Sequence, residues 1–198
     1  QHPFLEPLHQ WGKSMRHYPF GSAFGKNSVL FLVQGQPIPD LSLKDADCVV
    51  PLFRRASKEL GDTFVEAVRA DMRAVGYELD SIEVAPPRSI RVPSSLPGEP
   101  RFLIVKEHDL HGSTDQFDMS QGMFRTFALL IHLNYAQLKD LPSCVLVDDI
   151  GEGLDFERST ALIKLVVSKA QRSGVQLIMA TNDRFVMNAV DLKYWTVV

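Results

Sequence analysis

Cys144-Val-Leu-Val-Asp-Asp-Ile-Gly-Glu-Gly-Leu-Asp155 is the stretch on which the fold turns. Its apolar first four residues read as a buried strand that delivers Asp148 and Asp149 to its C-terminal tip, the place where open α/β sheets carry phosphate and Mg²⁺ chemistry. The plainer reading of the same residues is that the two acids start a turn and that Asp155 caps the next helix.

Upstream lies Phe117-Asp-Met-Ser-Gln-Gly-Met-Phe-Arg125, a polar Ser-Gln-Gly step that opens a long segment. Phe124, Phe127, Ala128, Ile131 and Tyr135 recur there at three- and four-residue spacing, which predicts an amphipathic helix. Ser120 is its N-cap, and the unpaired N–H groups of a first helical turn suit a phosphate. Downstream, Gly174-Val-Gln-Leu-Ile-Met-Ala-Thr-Asn-Asp183 reads as a second buried strand with Thr181, Asn182 and Asp183 at its exit, which by itself is also an ordinary Asx turn.

In this order, the three pieces resemble the C-terminal half of an ABC-type ATPase domain of the SMC, RecF and OLD-like AAA ATPase group. Met119-Ser-Gln-Gly-Met123 stands where that group has its Leu-Ser-Gly-Gly-Gln signature, and Val145-Leu-Val-Asp-Asp149 where it has the Walker B strand. Ile150-Gly-Glu-Gly-Leu-Asp155 matches the stretch ending in the D-loop, and Thr181-Asn182-Asp183 the switch-histidine segment. The resemblance covers residues 101 to 198. It implies a P-loop NTPase fold that takes ATP and Mg²⁺.

Roles carried over by the resemblance follow position by position. Asp148 is similar to the Walker B acid that holds Mg²⁺ through water. Asp149 occupies the position of the catalytic Glu, one methylene shorter. Ser120, Gln121 and Gly122 resemble signature residues that contact the γ-phosphate of a nucleotide held by a second subunit, and Asp155 resembles the D-loop acid reaching across the same interface. Asn182 replaces the switch His; it can hydrogen-bond a phosphate but cannot titrate near neutral pH. The departures at Asp149 and Asn182 bear on turnover.

No Gly-x-x-x-x-Gly-Lys-Ser/Thr phosphate loop occurs in the sequence. The nearest approach is Phe20-Gly-Ser-Ala-Phe-Gly-Lys-Asn-Ser28, one residue short and with Asn27 at the Mg²⁺-binding hydroxyl position, and it reads as a turn or exposed loop. The chain starts at Gln1, so the expectation is a C-terminal piece of a larger polypeptide whose N-terminal Walker A segment is the missing partner.

Composition bounds the remaining classes. With 198 residues and 45% hydrophobic content the chain can bury a substantial core and is no disordered tail. Nothing approaches a membrane span or a secretion leader, which predicts a cytoplasmic protein without membrane contact. Two cysteines, Cys48 and Cys144, are too few for a disulfide framework. His108-x-x-His111 is the only histidine pair with metal spacing, and it lacks acidic or thiol partners. A net charge of −3 gives no general support for nucleic-acid binding. Arg54, Arg55, Lys58, Arg69 and Arg73 are interleaved with Glu59, Asp62, Glu66 and Asp71, as on a solvated helix face.

Two regions are expected. Residues 1–98 hold a helix near 6–16, a strand near 29–33, an amphipathic helix over 52–75 and a strand at 82–84, forming a subdomain that continues the ATPase head or signature lobe. Residues 99–198 alternate strand (102–106), helix (122–138), strand (144–148), helix (157–172), strand (175–180), short helix (184–189) and strand (194–198). That alternation predicts an α/β fold with a mainly parallel sheet flanked by helices, the Walker B and switch strands lying beside an absent P-loop strand.

The resemblance implies Mg²⁺-dependent ATP hydrolysis in a head-to-tail ATPase dimer, a homodimer or larger assembly, serving DNA repair or antiphage defence. The alternative is a catalytically weak or inactive module of the same fold, acting as a nucleotide-gated interaction subunit. A dinucleotide-binding α/β domain has no Gly-x-Gly-x-x-Gly after a strand to support it.

Overall fold

The computed structural model describes residues 2–35, 41–88, 90–91, 93, 98–141, 144–182, 187–188 and 190–196. It is an α/β fold with a three-stranded parallel sheet, a separate antiparallel sheet and one helix buried over most of its length.

The parallel sheet has three strands in the order β1 (Met15–Pro19), β6 (Cys144–Asp148), β7 (Gln176–Met179). Met15 pairs with Cys144 and Pro19 with Asp148, while Cys144 pairs with Gln176 and Val147 with Met179. The central strand is therefore flanked on both sides by this chain's own strands. A further strand could join only at the outer edge of β1 or β7, which corrects the expectation that an absent strand adjoins Asp148 directly.

The second sheet was not foreseen from the alternation of elements. It runs β2 (Leu30–Leu32), β4 (Glu99–Glu107), β3 (Leu79–Ala85), all antiparallel, with the two-residue β5 (Thr114–Asp115) also on β4. The strand predicted at 102–106 thus belongs here and not to the parallel sheet. Its run Phe102-Leu-Ile-Val105 is buried on both faces, so it lacks the period-two pattern that would have marked a half-exposed antiparallel strand.

Helix α1 (Glu6–Ser14) is exposed along its length. The helix expected over 52–75 is two, α2 (Val49–Leu60) and α3 (Asp62–Ala74), because Gly61 adopts φ 59°, ψ −145°, a conformation open to glycine and costly for other residues. Three basic residues of this pair face acids: Arg55 meets Glu59 at 2.7 Å, Arg69 meets Glu66 at 2.6 Å and Arg73 meets Glu78 at 3.4 Å.

The 18-residue α4 (Gln121–Leu138) has no solvent face over most of its length; every residue from Gly122 to Ala136 is buried. It packs on α2 and α3, and Gln137 bonds the Lys169 carbonyl of α5 (Phe156–Arg172). The expected amphipathic stripe is instead a central helix, and Arg125, Thr126, His132 and Asn134 are buried with it.

Two further expectations change. Residues 192–194 form a 3₁₀ turn and no strand follows through 196; the rest of that predicted strand, and most of the helix expected near 184–189, lie outside the described residues. Among the described residues no helix is long and apolar enough to cross a membrane.

Candidate functional site

Parallel pairing of β6 with β7 places both strand exits at one edge of the sheet. There the chain interlaces: Ala180 N–H donates to Val147 O at 2.9 Å, Ile150 N–H donates to Ala180 O at 3.2 Å, and the Thr181 hydroxyl makes a long 3.5 Å bond to Ile150 O. Asp148, Asp149 and Thr181 are thereby brought together, and exposed Asn182 follows directly. Asp183 lies outside the described residues.

Asp148 is exposed at the strand tip, and its carbonyl accepts from Phe20 N–H at 2.9 Å. Asp149 adopts φ 54°, the left-handed region that Asp tolerates better than most side chains. This turns the chain sharply and sets its carboxylate over the loop after β1. A Cβ built on Gly21 would stand 2.6 Å from the tip of the exposed Glu152 carboxylate, which would have to swing aside, and in ordinary contact with Asp149 Oδ2 at 3.4 Å, so the loop passes directly beneath the two acids.

Ser120 and Asp155 both act as helix caps. Ser120 Oγ accepts from Met123 N–H at 3.1 Å and caps α4; Asp155 Oδ1 accepts from Arg158 N–H at 2.9 Å and caps α5. The Arg158 amide, and then its guanidinium at 2.7 Å, hold the Asp155 carboxyl below the usual carboxylate range. Arg158 also stacks over the Tyr77 ring, 4.6 Å from its centroid. Gln121 is exposed, whereas Gly122 is buried against Gly153 and Leu154 of the loop beyond Asp149. No hydrogen bond among the described residues joins Ser120 to Asp148 or Asp149.

Arg125, Lys26, Gly21 and Glu152 did not emerge from the sequence. Arg125 is buried and its guanidinium donates to three backbone carbonyls: Nε to Ser22 O at 2.7 Å, Nη2 to Gly21 O at 2.8 Å and Nη1 to Glu152 O at 3.1 Å. Lys26 Nζ, also buried, donates to Met119 O, just before Ser120. The stretch 20–28 is therefore no exposed loop: Phe20 and Phe24 are in the core, and Gln116 Nε2 donates to the carbonyls of Lys26 and Ser28. The available sequence signal was a lone Arg on the apolar side of a helix, which burial obliges to find acceptors.

The donor set at the tip fits Mg²⁺ as nucleotide enzymes hold it, by one or two carboxylates, with phosphate and water completing the shell. Asp148 and Asp149 supply hard oxygen donors, and among the described residues no group of three His, Cys, Asp or Glu side chains forms a self-sufficient cage. His108 is taken up by Asp80, whose carboxylate meets its Nδ1 at 2.8 Å and raises its pKa. Cys144 is buried, which raises its thiol pKa, and Cys48 is pushed up to about 12 by burial and then by Asp45.

Solved structures similar to this chain include SMC head domains. One is the SMC head domain of Pyrococcus furiosus with an extended coiled coil, bound to the C-terminal domain of ScpA: 16% identity, TM-score 0.49, over 70% of this chain and 32% of that one. Another, from Pyrococcus yayanosii with a coiled coil and joint, matches at 16% identity and TM-score 0.48 over 70% of this chain and 25% of that one. A third, from work on ATP-driven dimerization and DNA-stimulated activation of SMC ATPases, matches at 20% identity and TM-score 0.44 over 68% of this chain and 78% of that one. The chain thus spans a third or less of the length of the first two. No family model and no curated protein matches it.

Proposed function

We propose that this chain is the signature and Walker B half of an ABC-type ATPase domain, which binds ATP with Mg²⁺ once joined to a Walker A-bearing segment and hydrolyses it in a head-to-tail dimer. The observation that carries this reading is the pair Asp148 and Asp149 at the tip of a central parallel strand, with Thr181 and Asn182 laced beside them.

In this reading Asp148 holds the cation through water. Bound Mg²⁺ supplies positive charge that offsets the charge on the transferred phosphoryl group. Asp149 accepts a hydrogen bond from the attacking water and takes its proton, and Asn182 donates its amide N–H to a phosphate oxygen. The buried Gly122 end of α4, with Ser120 and Gln121 exposed on it, presents hydroxyl and amide donors to nucleotide on a second head, where negative charge meets a helix N-terminus. Asp155 stands on the same surface.

A second reading, a nucleotide-gated module with little turnover, is favoured by two features of the same residues. Asp149 is short for water positioning and is held at a positive φ, and Asn182 cannot titrate where the resembling group carries His.

The deciding experiment is Mg²⁺-dependent ATP hydrolysis by the Walker A-bearing polypeptide, wild type beside Asp149→Asn. Turnover that disappears with the substitution supports the enzyme. Measurable ATP binding with no turnover in either protein supports the gated module, and absence of both binding and turnover defeats the ATPase reading altogether.

A further inference from the structure

The strand-tip acids and the Ser120 end of α4 share no hydrogen bond, yet both are tied to the loop that follows β1. At one end of that loop, Gly21 lies under the Asp149 and Glu152 carboxylates. At the other end, Lys26 grips the carbonyl of Met119, the residue before Ser120. Between them sits Arg125, five residues into α4, whose single planar guanidinium holds Gly21 O, Ser22 O and Glu152 O. The contact continues to Gly153, whose Cβ position would be 3.1 Å from Arg125 Nη1, and to Gly122, which is packed on the Gly153 carbonyl.

We infer that Arg125 is a positioning residue that locks the loop after β1, the Glu152–Gly153 turn and the first turn of α4 into one unit, so that a displacement at Asp149 is passed to Ser120. Its functional meaning rests on the ATPase reading above; the lock itself does not.

Three features support the inference. The acceptors are backbone carbonyls on two different loops, so neither loop can shift without breaking a charge-assisted bond in a buried site, where an unmet donor is costly. The fork geometry is particular to Arg: a Lys keeps the charge but cannot bond three divergent carbonyls at once. Glycines stand at the two approaches beside Arg125, Gly122 against the Gly153 backbone and Gly153 under the guanidinium, leaving little side-chain slack there to absorb a movement.

The test is a double-mutant cycle read by hydrogen exchange on this chain, with the variants Gly21→Ala, Arg125→Lys and the two combined. Gly21→Ala presses a methyl on the Glu152 carboxylate and fills the space beneath Asp149, and is expected to speed exchange at least threefold in peptides covering 119–124 as well as 148–154. In the Arg125→Lys background the added effect of Gly21→Ala on 119–124 should vanish, while peptides from β3 and β4 keep wild-type protection. Unchanged exchange at 119–124 in Gly21→Ala overturns the proposal, as does an equal effect with and without Arg125. If Arg125→Lys fails to fold, the Gly21→Ala single variant still decides by the first criterion.

A second readout uses ATP turnover by the Walker A-bearing polypeptide. Because the Arg125 guanidinium is committed to three backbone carbonyls, Arg125→Lys is expected to lower kcat about tenfold with KM for ATP unchanged. A raised KM with unchanged kcat overturns a positioning role. Absence of turnover in the wild type would count against the ATPase reading and leave the exchange result to judge the lock.

Discussion

Gly122 on the first turn of α4 rests on Gly153 in the turn beyond Asp149, so closely that a Cβ on Gly122 would fall within the contact shell of the Gly153 carbonyl and 2.7 Å from Leu154 Cδ2. The neighbouring atoms are mostly backbone and cannot swing away. Gly122→Ala should therefore destabilise the chain by about 2 kcal/mol through overpacking, read as a lower urea midpoint with unchanged slope. An unchanged midpoint would mean that the two turns separate freely.

Ser120 invites a substitution that separates its two roles. Asp caps helices as well as Ser does, and its charge suits a helix N-terminus, so Ser120→Asp should keep stability within about 0.5 kcal/mol of wild type. Ser120→Ala, which loses the bond to Met123 N–H, should cost about 1 kcal/mol. An acid facing a phosphate is repelled, so Ser120→Asp should also abolish ATP-dependent association of the Walker A-bearing polypeptide, measured by sedimentation. Retained association would remove Ser120 from the nucleotide interface.

Asp71 on α3 and Lys169 on α5 form an ion pair at 2.7 Å with side chains 13% and 16% exposed, joined by Asn134 and Gln137 of α4. Removing one partner strands a mostly buried charge. Asp71→Ala should cost about 3 kcal/mol in chemical unfolding, and Asp71→Ala with Lys169→Met should recover more than half of it.

His132 is enclosed by Tyr18, Phe24 and α4 itself; burial, and then the nearby Arg16 cation, depress its pKa to about 3. Above the ordinary histidine value of about 6.5, folded and unfolded chains both hold a neutral ring. Below it only the unfolded chain takes the proton, so stability falls as pH drops from about 6.5 towards 3. Between pH 7 and pH 5 the wild type should lose about 2 kcal/mol more than His132→Leu in urea unfolding. Parallel pH profiles would place the proton-linked loss on other groups.

Much of the parallel sheet could be read directly from the chain. Cys144–Asp148 and Gln176–Met179 are strands where short apolar runs end in polar residues, although the second, expected to be buried, is a half-exposed edge strand with Ile178 open to solvent; both caps, Ser120 and Asp155, were visible as side chains able to accept from the amide three positions on. The antiparallel sheet was not, because Phe102–Val105 is buried on both faces and carries no alternation. The break at Gly61 was hidden by apolar spacing that continues through it. Arg125 passed unnoticed among Phe124, Thr126 and Phe127, since a sequence does not show which carbonyls a buried guanidinium will meet.

The sequence by itself determined the helices around α4 and α5, the strands β6 and β7 with their exits, and that acids stand at one of them, because strand runs, caps and turn residues act through neighbours a few positions apart; it missed β1, whose first residues it read as the end of a helix. Only the tertiary structure decided that β1 covers the free side of β6, that Gly21 passes under Asp149, and that Arg125 and Lys26 tie that loop to both sides of Ser120. Those contacts join residues about a hundred positions apart, and no local pattern encodes them: they exist because burying a charge or a polar backbone group requires a partner, and the packed core dictates which one is within reach.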